Sequence, residues 1–223
     1  MTAGGATSTG FRRRLLLVED DVMMASLLAR VLEEEGFEAR VASDVKAARV
    51  LVEDFDPDCA LIDLSLGPGP SGADLATVLH RQRPDIALIL LTRYPDLRSA
   101  GLGDYEVPPN CGFLRKDRVS DPGFLVAAVE QVLRDHATDV RDDTDPERPL
   151  GALTQQQMDI LRLMAMGYTN DVIAEIKGAS RSSVERWVAG ILQTMDIDGR
   201  GRLNPRVEAV RRYIVVAGVP DRA

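Results

Sequence analysis

The chain has 223 residues, of which 45% are hydrophobic, 4% aromatic and 28% charged, with a formal net charge of -8. That balance belongs to a globular protein with one large or two modest cores, and it excludes collagenous, disordered and bilayer-spanning classes. Charge is uneven along the chain: residues 1–149 hold 17 Lys and Arg against 27 Asp and Glu, whereas residues 150–223 hold 10 against 8, a division that suits an acidic regulatory part joined to one that can meet nucleic acid.

Residues 1–10 are rich in Gly, Ser, Thr and Ala and are expected to form a flexible tail. Three arginines then precede a short apolar run that Glu19, Asp20 and Asp21 stop before a signal-peptide core can form. The longest apolar stretches, such as Ala87 to Leu91, are far shorter than the roughly 20 residues that span a bilayer. A cytoplasmic location with no membrane partner is expected. Cys59, Cys111, His80 and His136 are too few and too scattered for a zinc framework, and Cys59, inside an apolar run, reads as a buried small hydrophobe.

From there short apolar runs alternate with amphipathic ones. Leu15–Val18, Glu38–Ala42, Cys59–Asp63, Ala87–Thr92 and Gly112–Lys116 predict five strands, and Val22–Glu35, Val45–Phe55, Ala73–Arg83 and Pro122–Arg134 predict helices. Alternation of this kind predicts an α/β fold. Near-continuous apolar strands imply a parallel sheet covered on both faces, with sites at the carboxyl ends of its strands. The segment 94–111 carries Pro95, Gly101, Gly103, Pro108 and Pro109 and is a poor helix former, so a helix between the fourth and fifth strands is expected to be short or absent.

The strand ends bring Glu19, Asp20, Asp63, Thr92 and Lys116 to one edge. Three converging carboxylates repel one another unless a hard cation joins them, and an oxygen-only set suits Mg²⁺ better than zinc. An Asp flanked by a cation, a hydroxyl and an ammonium has the parts for phosphoryl transfer to carboxylate, with Asp63 as acceptor. Asp21 reads as the cap of the helix that follows.

As a set, Leu15-Leu-Leu-Val-Glu-Asp-Asp21, Leu61-Ile-Asp-Leu64, Leu90-Leu-Thr92 and Gly112-Phe-Leu-Arg-Lys116 resemble the receiver domain of two-component response regulators, over residues 11–135. The resemblance implies a flavodoxin-like, doubly wound five-stranded sheet. It also implies Glu19, Asp20 and Asp63 as Mg²⁺ ligands, Asp63 as the residue phosphorylated by a sensor histidine kinase, Thr92 as switch hydroxyl, Phe113 as switch aromatic and Lys116 as phosphate-sensing lysine. Two departures stand out. Arg93 occupies a position that is usually small, where its guanidinium can cover Asp63, and the loop from Leu66 to Gly72 looks one residue longer than usual.

Residues 136–150, acidic and proline-bearing, read as a linker. Beyond them, Thr154 caps a helix running to Met166, closed by Gly167; Asn170–Ile176 forms a short second helix, Gly178 and Ala179 a turn, and Ser180 the cap of a third helix reaching about Met195. A short helix, a turn and a longer helix make a helix-turn-helix. Residues 151–218 resemble the LuxR-type (NarL/FixJ-like) output domain, through Gly167-Tyr-Thr-Asn170, Ile173-Ala174, Val184, Val188, Ile191-Leu192 and a final helix from Arg206 to Ala217.

That resemblance implies that the outward side of the third helix, with Arg181, Ser182, Glu185, Arg186, Ala189 and Gln193, enters the major groove of promoter DNA, and that Arg200 and Arg202 add contacts. Trp187 falls on the inward stripe. Gln157 replaces the usual Glu, Lys177 falls where an apolar residue is expected, and Glu185 opposes DNA on the reading face. With so little net positive charge, useful affinity calls for a homodimer. The expected function is a phosphorylation-regulated transcription regulator and not a turnover enzyme. The alternative is an atypical receiver with a helix-turn-helix that acts through protein partners or without phosphate.

Overall fold

The structure is a computed structural model that describes residues 12–102, 107–134, 140, 150–197 and 203–220. The expected tail, most of the expected linker, and Arg200 and Arg202 lie outside the described residues.

Five strands, β1 (Arg14–Val18), β2 (Glu38–Ala42), β3 (Cys59–Asp63), β4 (Ala87–Thr92) and β5 (Cys111–Arg115), form one parallel sheet in the order β2-β1-β3-β4-β5. Its helices are α1 (Val22–Glu34), α2 (Val45–Phe55), α3 (Gly72–Gln82) and α4 (Pro122–Leu133). The chain order reverses between β1 and β3, so the crevice at their carboxyl ends is the switch point at which doubly wound sheets bind ligands. Strand pairing and alternation sort the core into two layers. Leu15, Leu17, Leu61, Ile89 and Leu91 pack with Leu28 and Leu32 of α1 and with Leu125 and Val129 of α4. Leu16, Val18, Ile62, Leu90 and Phe113 face the other way, towards α2 and α3.

The fifth strand begins and ends one residue earlier than the sequence pattern suggests. The Lys116 backbone N–H still donates to the Thr92 carbonyl at 2.7 Å, but its side chain leaves the ladder for the crevice. Cys59 and Cys111 are both buried and unbridged, as expected for Cys59. Val140 shows that the expected linker is tied to the sheet at one point: its carbonyl accepts from the Phe113 N–H at 2.7 Å, and its side chain is buried beside β5.

Between β4 and β5 the described residues contain no helix. Turns over 93–101 take its place, and they are buried: Tyr94, Leu97 and Ser99 have almost no exposed surface. Asp96 and Ser99 organise the turn locally, the Ser99 N–H donating to Asp96 Oδ1 at 2.6 Å and the Ser99 hydroxyl to the Asp96 carbonyl at 2.9 Å.

The C-terminal module consists of α5 (Gln155–Ala165), α6 (Asn170–Ile176), α7 (Arg181–Thr194) and α8 (Pro205–Ala217). Each begins at a side chain that accepts from the first turn: Thr154, Thr169, Ser180 and Asn204. Met158, Leu161, Ile173, Val184, Ile191, Ala209 and Tyr213 fill its interior, with Trp187 half-buried against them. Where this sequence departs from the LuxR pattern, local pairings account for the residues present. Gln157 closes a capping box with Thr154 and donates to Thr194 Oγ1 at 3.2 Å, tying α5 to α7. Lys177, where an apolar residue was expected, pairs with Asp159 at 2.8 Å.

The two modules share one hydrophobic cluster. Tyr94, Leu97 and Ala100 from the irregular segment belong to the same buried set as the C-terminal module's interior. The Tyr213 hydroxyl on α8 donates to the Ser99 carbonyl at 2.7 Å, with both residues fully buried. Burial is the leading reason that the Tyr213 phenol is pushed above its ordinary range. The C-terminal module thus packs against the buried turns that follow β4.

Candidate phosphorylation site and DNA-reading face

The crevice at the ends of β1 and β3 is assembled by backbone extensions of the sheet. The Glu19 N–H donates to the Ala42 carbonyl at 3.0 Å and the Leu64 N–H to the Leu91 carbonyl at 2.9 Å, so Glu19 and Asp63 are held on rigid strand ends. Gly72, the first residue of α3, packs so closely that a Cβ there would lie 1.9 Å from the Asp63 carbonyl oxygen. Only glycine lets the chain turn back from Asp63 within this loop.

Lys116 stands between the two carboxylates. Its Nζ lies 2.8 Å from Asp63 Oδ2, 2.8 Å from Glu19 Oε1 and 2.6 Å from Glu19 Oε2. Asp63 Oδ1 accepts from the Ser65 N–H at 3.1 Å. One ammonium therefore serves two buried carboxylates. The Asp63 carboxyl is pushed up to about 6, first by burial and further by the charge of Glu19, against the opposing pull of Lys116. Glu19 Oε2 is buried without a hydrogen-bond donor in line, and carboxylate oxygens of Glu19, Asp20 and Asp63 lie within 4.8 Å of one another. Such a set of hard oxygen donors, under-compensated in charge, fits a small divalent cation.

The remaining predicted residues fall around this centre. Thr92 is buried, its Oγ1 accepting from the Tyr94 N–H at 3.0 Å. Phe113 is fully buried in the layer facing α2 and α3. Asp21 caps α1, accepting from the N–H groups of Met23 and Met24, as its position suggested. Arg93 is exposed and lines the crevice. The cavity that opens here measures about 1030 Å³ and includes the loop 66–69 in its wall. The lining also includes Arg162, on α5 of the other module, which the sequence reading did not place at this site. Nothing in local spacing could have flagged it, because its relation to Asp63 exists only across the domain boundary.

On α7, residues Arg181, Ser182, Glu185, Arg186, Ala189 and Gln193 are all exposed, while Val184 and Ile191 are buried. The expected inward and outward faces are thus separated. Arg181 pairs with Glu185 at 3.0 Å and with Asp171 at 3.3 Å, contacts in water that contribute little to stability. The Ser99–Tyr213 bond and the Arg162 contact use α8 and α5, so these docking contacts leave the outward face of α7 open.

A parallel sheet of this order with two acids and a lysine at its switch point defines a receiver fold. Comparison with known proteins bears this out: the response regulator receiver domain matches residues 15–101, and the regulatory proteins of the bacterial luxR family match residues 151–204. The chain therefore carries a response regulator receiver domain followed by a LuxR-type helix-turn-helix domain.

Among its relatives, the photosynthetic apparatus regulatory protein RegA of Rhodobacter capsulatus is 36% identical over 91 residues, 41% of this chain and 49% of that protein. The oxygen regulatory protein NreC of Staphylococcus carnosus is 24% identical over 207 residues, covering 85% of this chain and 94% of its own length. The chain spans about half the length of the first of these relatives. In fold it is similar to RcsB of Salmonella enterica serovar Typhimurium, solved on the rprA promoter with the phosphomimetic BeF₃⁻, at a TM-score of 0.54 and 16% identity, covering 92% of this chain and 100% of that one. None of these likenesses favours the alternative of a protein-recruiting module. Among the described residues no helix is long and apolar enough to cross a membrane.

Proposed function

We propose that the protein is a cytoplasmic transcription regulator, phosphorylated on Asp63 by a sensor histidine kinase and reading promoter DNA through α7 as a homodimer. The observation that carries this reading is the convergence of Glu19, Asp63 and Lys116 at the switch point. Glu19, Asp20 and Asp63 would hold Mg²⁺, which supplies charge neutralisation for the oxygens of the incoming phosphoryl group. Asp63 offers Oδ2 as the attacking atom once Lys116 turns to the phosphoryl oxygens, and the Ser65 N–H steadies Oδ1. Thr92 can exchange its contact with the Tyr94 N–H for one to the phosphoryl group, and Phe113 lies in the same layer as Tyr94 to register that change. These groups accept a phosphoryl group and report it.

On α7, Arg181 and Arg186 would meet phosphates or bases, Ser182 and Gln193 supply further polar contacts, and Ala189 gives room for close approach. Glu185 neutralises Arg181 and holds affinity down, which makes dimerisation on phosphorylation the natural amplifier.

The test is incubation with Mg²⁺ and a small acyl-phosphate donor, followed by intact mass, sizing and titration of promoter fragments at several salt concentrations. A phosphoryl adduct absent from Asp63→Asn, with salt-dependent DNA binding whose slope falls by about 1 in Arg186→Ala, is expected. Absence of DNA binding at low salt from the phosphorylated protein would overturn the DNA-reading half of the proposal.

A further inference from the structure

The cavity above Asp63 is walled by both modules, and this has consequences beyond those of an isolated receiver. Arg162 reaches into it from α5. Its guanidinium lies on the backbone of Gly101, so close that a Cβ at Gly101 would stand 2.5 Å from Nη1, and Gly101 has a positive φ of 85°. The Nε of Arg162 is buried without a hydrogen-bond acceptor. A guanidinium fork with an unsatisfied donor, in a crevice built around an anion acceptor, is the group best matched to phosphoryl oxygens.

We infer that Arg162 is an anion-binding residue contributed by the output module to the phosphorylation pocket, so that a phosphoryl group on Asp63 holds the two modules together. The inference rests on Asp63 being the phosphoacceptor. Replacing a carboxylate by its acyl phosphate adds negative charge and length on the receiver side, directed into the cavity that Arg162 lines. Because the Arg162 contact exists only when the modules are docked, phosphorylation favours docking and docking favours the phosphorylated state in equal measure. The same boundary carries a second strand of coupling: Thr92 Oγ1 holds the Tyr94 N–H, and Tyr94 belongs to the cluster in which Tyr213 and its bond to Ser99 are buried. The contacts of α5 and α8 leave α7 outward, so docking driven by phosphate is compatible with DNA reading.

The test uses the full chain with Mg²⁺ and acetyl phosphate, following adduct formation by intact mass and domain docking by the rate at which trypsin cuts between the modules, at Arg141. In the wild type, phosphorylation is expected to slow this cleavage by at least about threefold. Arg162→Gln should still form the adduct but hold it less well than the wild type, by the same factor that the docking contact is lost, with cleavage no longer responding to it. Gly101→Ala, which displaces the guanidinium from the receiver side, should weaken the response while leaving the C-terminal module's interior untouched, and it serves if Arg162→Gln fails to fold. A phosphorylated Arg162→Gln that is protected as strongly as the wild type overturns the role of Arg162 alone. Wild-type cleavage that is unchanged or accelerated by a confirmed adduct overturns it as well. No adduct on the wild type overturns the phosphoacceptor reading, and this inference with it.

Discussion

The Ser99–Tyr213 contact makes the coupling of the two modules measurable. Tyr213→Phe retains the aromatic ring in its fully buried site and deletes only the hydroxyl that donates to the Ser99 carbonyl at 2.7 Å. Water has no access to replace it, so the loss combines the net value of one hydrogen bond, about 1 kcal/mol, with part of the cost of orphaning a buried carbonyl, giving about 2 kcal/mol in all. For a chain of this length that corresponds to a fall of about 4–8 °C in Tm. Tyr213→Ala also removes the ring and should lose about 3–5 kcal/mol.

Urea titration read by tryptophan emission is well suited to this, because Trp187, the one tryptophan of the sequence, lies in the C-terminal module. Far-UV circular dichroism on the same samples reports the whole chain. If the modules unfold as one cooperative unit, both signals shift together in Tyr213→Phe. A variant within about 0.5 kcal/mol of the wild type, the range of an ordinary surface substitution, would refute the claim that this bond is sealed between the domains.

Removing Lys116 as Lys116→Met leaves Glu19 and Asp63 buried without their shared cation, and should lower stability by about 3–5 kcal/mol in chelator; thermal melts should show part of that loss restored by Mg²⁺. Asp63 titrates near 6 in the fold against 3.8 in its ordinary state. Since its folded value is the higher one, its contribution to stability is complete below about pH 4 and lost as pH rises through about 6, a change of about 3 kcal/mol. Denaturation of the metal-free protein across pH 4 to 8 should show this decline, and Asp63→Asn should lack it. Gln157→Ala removes half of the capping box of α5 and its tie to Thr194, and should cost about 1 kcal/mol in urea denaturation without altering adduct formation at Asp63.

Much of the molecule was legible in the linear chain because its signals are local. Strand alternation, helical spacing and capping side chains located the strands and helices to within a residue or two. The strand-end rule then brought Glu19, Asp20, Asp63, Thr92 and Lys116 to one edge without reference to contacts. The same holds for α7, whose inward stripe of Val184 and Ile191 and outward arginines follow from the 3.6-residue period alone. Even the lack of a helix among the described residues between β4 and β5 was written in Pro95 and Gly101.

What covers that gap was not. The sequence read 94–111 only as irregular and 136–150 only as linker, whereas Tyr94, Leu97 and Ser99 are buried under α8 and Val140 is tied to β5. Burial of Ser99 and Tyr213, and the approach of Arg162 to the cavity above Asp63, depend on residues more than sixty positions apart meeting across a domain boundary. Periodicity and propensity describe the turn or face on which a side chain sits; which surface that face meets is decided by how whole modules dock, and only the tertiary structure holds that information.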